Sequence, residues 1–233
     1  LDAEDGSAQF VRDVAEELAA VATEAFQLAD VRFELLHHRV DRIAELADFV
    51  GKKAQVADIT ERTMRGELVF DTSLRARVAL LEGLDAGIVD TVIADRIKLT
   101  PGGPELVRTM RANGAWTALV SGGFTLFTTV IAKKIGFDEN RANTLLIENG
   151  KFTGKVADPI LGREAKFEAL VDMRAARGLV KEETMAVGDG ANDLGMIKEA
   201  GLGVAYHAKP KVREQAMVAI NEGGLDRVLA LMA

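Results

Sequence analysis

TMAVGDGANDL, residues 184–194, joins a short apolar run to a glycine-flanked turn that carries two carboxylates and one carboxamide. The apolar run at 185–187 has the composition of a buried parallel strand. Asp189 follows where that strand should end, and Asn192 and Asp193 fall in the first turn of the next predicted helix. Because ligands of open α/β sheets bind just outside the carboxyl ends of the strands, this stretch predicts a ligand site.

The two carboxylates of this stretch, Asp189 and Asp193, suit a hard cation such as Mg²⁺, which takes oxygen ligands and keeps several waters. A second interpretation needs no metal, since Asp and Asn also form turns and cap the N-termini of helices. Residues 184–194 alone leave both interpretations open.

Composition and length are those of an ordinary globular protein. The chain has 233 residues, of which 48% are hydrophobic and 28% are charged. This length allows one domain with a sizeable insert, or two small domains. The formal net charge is −7 and the sequence has no long basic run, so we expect no binding to nucleic acid.

The sequence contains no cysteine, which excludes a disulfide framework and a thiolate metal site. No apolar run is long enough to span a bilayer, and the first residues lack the basic n-region of a signal peptide. We therefore expect a cytoplasmic protein that has no membrane partner, and its oligomeric state stays open.

The first part of the chain shows little of the α/β pattern that dominates later. Residues 9–28 have the apolar spacing of a helix, and residues 31–35 alternate as a half-buried strand does. Residues 41–98 carry helical apolar stripes almost throughout and show no strand signal. We therefore predict a leading segment at 1–40, an extension or an aberrant start of the core, and a helical module at 41–98.

An α/β pattern begins at Leu99 and continues along the rest of the chain. A predicted strand at 116–120 runs into the Ser-Gly-Gly tripeptide 121–123, and a hydroxyl with glycine amides at a strand end can cradle a phosphate. The same tripeptide is also a common turn. Further strands are predicted at 202–206 and 216–220, and this alternation of strands and helices indicates a parallel sheet with right-handed crossovers.

Two further signals lie between these strands. The Asn-Gly pair at 149–150 is the favoured pair for a type I′ hairpin turn. Lys166 precedes a predicted helix over 167–179 and is either a solvated lysine or a phosphate ligand. In a parallel sheet of this kind, Ser121 and Lys166 can each reach a phosphoryl oxygen while Asp189 holds a metal.

Taken together, these motifs resemble the haloacid dehalogenase (HAD) superfamily of phosphatases and, within it, the phosphoserine phosphatases. The resemblance covers residues 47–220 nearly without a break. It is carried by ITERTMRGEL (59–68), LRARV (74–78), VSGGF (120–124), the pair NG (149–150), VGDGAND (187–193) and AKP (208–210).

The resemblance implies an α/β fold: a Rossmann-like parallel-sheet core at 99–233 and an inserted helical cap at 41–98 that lies over the site. It also implies a Mg²⁺-dependent phosphomonoesterase that hydrolyses O-phospho-L-serine to serine and phosphate through an aspartyl-phosphate, a step of serine biosynthesis.

The resemblance further implies a role for each matching residue. The residues fall into three groups: the phosphoryl group is bound by Ser121, Gly122, Lys166 and Asn192; the metal by Asp189 with the supporting carboxylate Asp193; and the rest of the substrate by Arg77 at its carboxylate, Phe70 as a closing apolar residue and Asp41 at its amino group.

One family motif is absent from residues 1–50. The family's nucleophile lies in an Asp-x-Asp-Ser-Thr motif, which follows an apolar strand shortly before the cap. Asp30 follows a short apolar run, but Arg32 stands where the second aspartate, the general acid, is expected. Asp30 is therefore either a nucleophile or an ordinary loop carboxylate.

Two hypotheses follow from this departure. The first is a phosphoserine phosphatase, which the retained Ser121, Lys166 and Asp189 favour for the family role. The second is a non-catalytic relative that binds phosphoserine, another anion or a protein partner. Because the nucleophile motif is absent, we expect the chain as written to hydrolyse phosphoserine weakly or not at all.

Overall fold

The computed structural model describes residues 43–232. The first elements along this part of the chain are all helices. A helical segment at 43–96 consists of α1 (Ile43–Asp48), α2 (Lys53–Met64), α3 (Phe70–Ala79) and α4 (Ile88–Arg96). Buried aliphatic side chains of these helices, such as Leu74 and Val92, share one hydrophobic cluster with side chains of the later strands. The helical segment therefore packs directly on the α/β part of the chain.

Helices and strands alternate in the rest of the described chain. The elements are α5 (Gly103–Ala112), β1 (Ala118–Phe124), α6 (Thr125–Ile135), β2 (Glu139–Asn143), β3 (Leu145–Glu148), β4 (Lys151–Val156), α7 (Arg163–Ala176), β5 (Met185–Gly188), α8 (Leu194–Glu199), β6 (Leu202–Tyr206), α9 (Pro210–Arg213) and β7 (Val218–Ile220), with 3₁₀ turns at Lys181–Glu183 and Leu225–Leu231.

The strands of the core pair in parallel. β1 pairs with β2, and β5, β6 and β7 form a second parallel sheet in that order. β3 and β4 form an antiparallel hairpin. Asn149 and Gly150 at its turn have φ values of 51° and 74°, as the two central residues of a type I′ turn require. The predicted hairpin and the α/β class are thus confirmed.

The two parallel sheets pack against the same main core on one side and against the same helix on the other. Leu119 of β1 and Val187 of β5 belong to the main core cluster, whereas their chain neighbours face the opposite side. On that opposite side, α7 places Met173 against β1 and Leu170 against β5. β1 and β5 therefore lie beneath one helix and turn the same face to the core, although the pairings within 43–232 do not join them directly.

Several predicted boundaries were wrong. β1 continues to Phe124 instead of ending at 120, so the tripeptide 121–123 is the end of the strand rather than a turn. α7 begins at Arg163, four residues before the predicted helix, which brings Lys166 into its first turn.

Other differences lie at the edges of the core. β2 was not predicted, because its sequence ENRAN is polar and only its last residue is buried. β7 begins at Val218 rather than at 216, and the 3₁₀ helix Leu225–Leu231 follows it. The predicted helix at 9–28 and strand at 31–35 lie outside the described residues. So do Asp30 and Asp41, and the proposed division at 40/41 and 98/99 stays a prediction.

Within residues 43–232, none of the helices combines the length and the apolar character that a membrane crossing would need.

Candidate functional site

The end of β1 presents Ser121 in a buried position. The side chain is 4% exposed, and its Oγ accepts a hydrogen bond from the backbone N–H of Gly123 at 3.1 Å. A hydroxyl that accepts this bond still has its own proton to donate. The serine hydroxyl can therefore act as a hydrogen-bond donor at this position.

The turn after β5 is held together by the carboxylate of Asp193. Its Oδ2 accepts hydrogen bonds from the backbone N–H groups of Asp189 at 3.0 Å and Gly190 at 2.8 Å. Asp193 reaches back under the turn only because residue 188 is glycine: a Cβ there would lie 2.5 Å from the Cβ of Asp193. The motif GDGAND thus folds into a compact local structure.

The other oxygen of Asp193 binds Lys166. The ammonium Nζ donates to Oδ1 at 2.7 Å, and the two side chains are only 3% and 2% exposed. A buried pair of this kind is held firmly, since removing one partner leaves an uncompensated charge at a cost of about 3–5 kcal/mol. Lys166 is therefore fixed next to the turn that carries Asp189.

Asn143, the last residue of β2, connects the end of β1 to the start of α7. Its Nδ2 donates to the carbonyl of Gly122 at 2.9 Å and to that of Leu161 at 3.2 Å, and its Oδ1 accepts the N–H of Leu161 at 2.7 Å. Lys166 lies in the first turn of α7. The ends of β1 and β5 therefore meet at the N-terminal end of α7, where the helix dipole favours an anion.

Phe70, at the start of α3, lies over the end of β1 and the segment before α7. A Cβ built on Gly122 would lie 3.7 Å from its ring, and one built on Gly162 would lie 3.3 Å from it. The lack of a Cβ at Gly162 allows this close approach, whereas a Cβ at Gly122 would be in ordinary van der Waals contact with the ring. Phe70 keeps 37% of its surface exposed, so it forms a partly open lid over the strand end.

Arg77 lies two helical turns beyond Phe70, on the same face of α3 and about 10 Å along the axis. Its side chain is buried, and its Nε donates to the carbonyl of Ser73 at 3.2 Å. Burial lowers the pKa of Arg77 to about 10, so the guanidinium is still charged at neutral pH. A buried cation of this type suits a carboxylate ligand.

Asp189 and Asn192 differ from Asp193 in exposure. Asp189 is partly exposed and Asn192 is exposed, with its carboxamide folded against Gly190. Both oxygens of Asp193 accept bonds from protein groups and its side chain is buried, whereas the Asp189 side chain is partly exposed, so we expect a cation to bind at Asp189. The described residues contain no group of three or more His, Cys, Asp and Glu side chains arranged around one metal. The set fits Mg²⁺, which binds through one or two carboxylates and keeps several waters.

Hydrogen bonds and the first turn of α7 connect five of the predicted site residues, and Phe70 lies next to Gly122 and Gly162; the five are Ser121, Gly122, Lys166, Asp189 and Asp193. Asn143 was missed by the sequence analysis. An asparagine in a polar segment beside a hairpin carries no signal of its own, and its contacts are 18 and 21 residues away.

Comparisons with known proteins identify the family to which the chain belongs. The family model described as haloacid dehalogenase-like hydrolase matches residues 30–198. A phosphoserine phosphatase of Polaromonas sp. is 46% identical over 224 residues, which cover 91% of this chain and 94% of the relative. One of Streptomyces coelicolor is 48% identical over 82% of this chain, which spans 47% of that relative's length.

Solved structures show the same fold. The unliganded probable phosphoserine phosphatase of Vibrio cholerae superposes with a TM-score of 0.82 at 38% identity, covering 88% of this chain and 64% of that one. A substrate-bound phosphoserine phosphatase complex gives a TM-score of 0.76 at 37% identity, covering 87% and 97%. The chain therefore belongs to the phosphoserine phosphatase family of haloacid dehalogenase-like hydrolases.

Proposed function

We propose that this chain binds O-phospho-L-serine with Mg²⁺ and is built for its hydrolysis to serine and phosphate. The observation that carries the proposal is the buried ion pair between Lys166 and Asp193. This pair joins the turn that carries Asp189 to the N-terminal end of α7. Asn143 in turn connects that end of α7 to the strand that carries Ser121. The relatives that share most of the chain's length are named phosphoserine phosphatases.

The phosphoryl group is assigned to Ser121, Gly122, Lys166 and Asn192. An ammonium has three N–H donors, so Lys166 can donate to Asp193 and to a phosphoryl oxygen together. Ser121 donates its hydroxyl proton from the other strand end. Phosphoryl transfer passes through a loose transition state with charge on the equatorial oxygens, and fixed donors of this kind stabilise that charge.

The serine part of the substrate is assigned to the helical segment, which we propose is the cap. Arg77 would pair with the substrate carboxylate, and Phe70 would exclude water from the phosphoryl end. The spacing of about 10 Å between them along α3 suits a small substrate held at both ends. Asp41 stays the proposed partner of the substrate amino group.

Mg²⁺ is assigned to Asp189, with Asp193 holding the turn in shape. When bound, the metal would shield the charges of the phosphate and of an attacking carboxylate. Asp193 supports this by fixing the backbone of Asp189 and Gly190.

The attacking carboxylate is the open part of the proposal. The family reaction needs an aspartate in line with the leaving oxygen, and a second that protonates it. The motif that supplies both is absent from residues 1–50, which favours the second candidate function: a protein that binds phosphoserine, or another ligand, but turns it over weakly or not at all.

The test is an assay of phosphoserine turnover with Mg²⁺ by the unaltered chain, Asp30→Asn and Asp189→Asn. Turnover that both changes abolish would make Asp30 the nucleophile. Weak or absent turnover, together with phosphate binding that Ser121→Ala removes, would establish the binding function. Turnover that neither change alters would come from a contaminant.

The cytoplasmic location and the lack of nucleic-acid and membrane partners remain predictions from composition and charge.

A further inference from the structure

Asn143 is the one side chain in the described chain seen to bond to both the Ser121 end of β1 and the segment before α7. It is 1% exposed, and both protons of its amide nitrogen and its carbonyl oxygen have partners. Two of those partners are carbonyl oxygens, so only a donor can occupy this position without repulsion. The orientation of the amide group is therefore determined by its surroundings.

The bond to the C=O of Gly122 also determines the direction of the N–H of Gly123. The peptide group between Gly122 and Gly123 is planar and trans, so its C=O and its N–H point in opposite directions. When Asn143 binds the C=O of Gly122, the N–H of Gly123 points the opposite way. That N–H donates to Oγ of Ser121 at 3.1 Å.

The glycines themselves supply no such restraint. Gly122 and Gly123 have no side chain that could limit rotation of this peptide group, and glycine reaches more backbone conformations than any other residue. The bond from Asn143 is a long-range contact that selects one of them. The same side chain fixes Leu161 at both its N–H and its C=O, two residues before α7 begins.

We propose that Asn143 is a positioning residue: by holding the peptide group between Gly122 and Gly123 it orients the hydroxyl of Ser121, and by holding Leu161 it sets the start of α7, which carries Lys166. The inference rests on the proposed function, in which Ser121 and Lys166 receive the phosphoryl oxygens. Asn143 itself touches no substrate.

The test is a double-mutant cycle on the binding of inorganic phosphate, measured by calorimetry with Mg²⁺ present. Asn143→Leu removes the donor without adding charge, and we expect phosphate affinity to fall about tenfold, because a small misplacement of a binding group is enough for a large loss. In the Ser121→Ala background the same change should have a much smaller effect, since coupled groups are not additive.

The matched control is Asn140→Leu, the same change three residues earlier in β2, where the side chain binds Thr129 instead. We expect it to leave phosphate affinity unchanged. If Asn143→Leu does not fold, Asn143→Asp keeps the shape and the acceptor for Leu161 but repels both carbonyls. Its charge-matched control is Asn140→Asp.

A second measurement does not depend on ligand binding. Hydrogen exchange of the Gly123 amide should become faster in Asn143→Leu, although Asn143 does not bond to Gly123. Unchanged exchange at Gly123, or an equal effect of Asn143→Leu with and without Ser121, would overturn the inference. If Ser121→Ala leaves phosphate affinity unchanged, or the unaltered chain binds no phosphate, the proposed function fails, whereas the exchange rate still tests the role of Asn143.

Discussion

The ends of β1 and β5 carry the two halves of the same site but are held in different ways. The turn after β5 is closed by residues within six positions of one another, since Asp193 binds the amides of Asp189 and Gly190. The end of β1 depends on Asn143, 21 residues away, and on Phe70 from the helical segment. The closure of the turn after β5 is therefore local in sequence, although its ion pair with Lys166 spans 27 residues, whereas the end of β1 is held by tertiary contacts.

The difference shows how each half can fail. A local turn fails when one of its own residues is changed, and the loss is large because a buried ion pair depends on it. A strand end held by distant contacts loses order in smaller steps, because several separate bonds share the task.

The largest loss is expected for Asp193→Ala. It leaves the ammonium of Lys166 buried without its carboxylate and removes the acceptor of two backbone amides, so we expect a loss of about 3–5 kcal/mol in the free energy of unfolding. Urea denaturation measures it. The control is Asp172→Ala, which removes an exposed carboxylate 3.9 Å from Arg141 and should change stability by less than about 1 kcal/mol. Similar losses for both variants would show that the buried pair and the turn that it holds are not a major source of stability.

Glycine substitutions compare the two strand ends directly. Gly188→Ala places a Cβ 2.5 Å from the Cβ of Asp193, so we expect a loss of about 1–3 kcal/mol from overpacking. At Gly122 the nearest atom to a new Cβ is 3.7 Å away, in the ring of Phe70, so Gly122→Ala should change stability by less than about 1 kcal/mol. Thermal and urea unfolding measure the stability loss of each variant. A larger loss for Gly122→Ala than for Gly188→Ala would contradict the difference that we infer between the two strand ends.

The helical segment should act on the substrate and not on the phosphoryl group alone. Arg77→Lys keeps the charge but loses the fork that binds a carboxylate at two points, so we expect phosphoserine to bind about tenfold more weakly. Inorganic phosphate has no serine carboxylate and serves as the control ligand. An equal loss of affinity for both ligands would show that Arg77 is not the carboxylate partner.

The smallest effect is expected for the ion pair between Arg75 of α3 and Asp158, in the segment that leads to α7. Both side chains are largely exposed, so a double-mutant cycle with Arg75→Ala and Asp158→Ala should give a coupling energy of about 0.2–1 kcal/mol. The coupling should decrease at high salt. A larger coupling energy that does not depend on salt would mean that this ion pair contributes strongly to holding the helical segment on the rest of the chain.

The sequence predicted the local parts of this protein well, because their signals are local too. The Asn-Gly pair produced the expected hairpin, and the apolar runs at 185–187 and 202–206 became β5 and β6. The helical stripes at 41–98 appear as helices within 43–96. In each case the signal lies in residues that are neighbours in the structure as well.

The parts that were missed or misjudged depend on partners distant in sequence. β2 has a polar sequence and exists because it pairs with β1, so its own composition gives no strand signal. β1 extends through the Ser-Gly-Gly tripeptide because Phe124 pairs with Asn143. The two glycines have a low strand propensity and so predict a turn, whereas the pairing with β2 makes this stretch part of a strand.

The sequence by itself determined the α/β class, the family and the types of side chain at the site, since these follow from apolar periodicity and from short motifs such as GDGAND. Only the tertiary structure decided how those side chains are held: Lys166 became a buried partner of Asp193, and Asn143 became the link between Gly122 and α7. The physical reason is that burial and long-range hydrogen bonds depend on which segments meet in space, and a motif records only the residues within it.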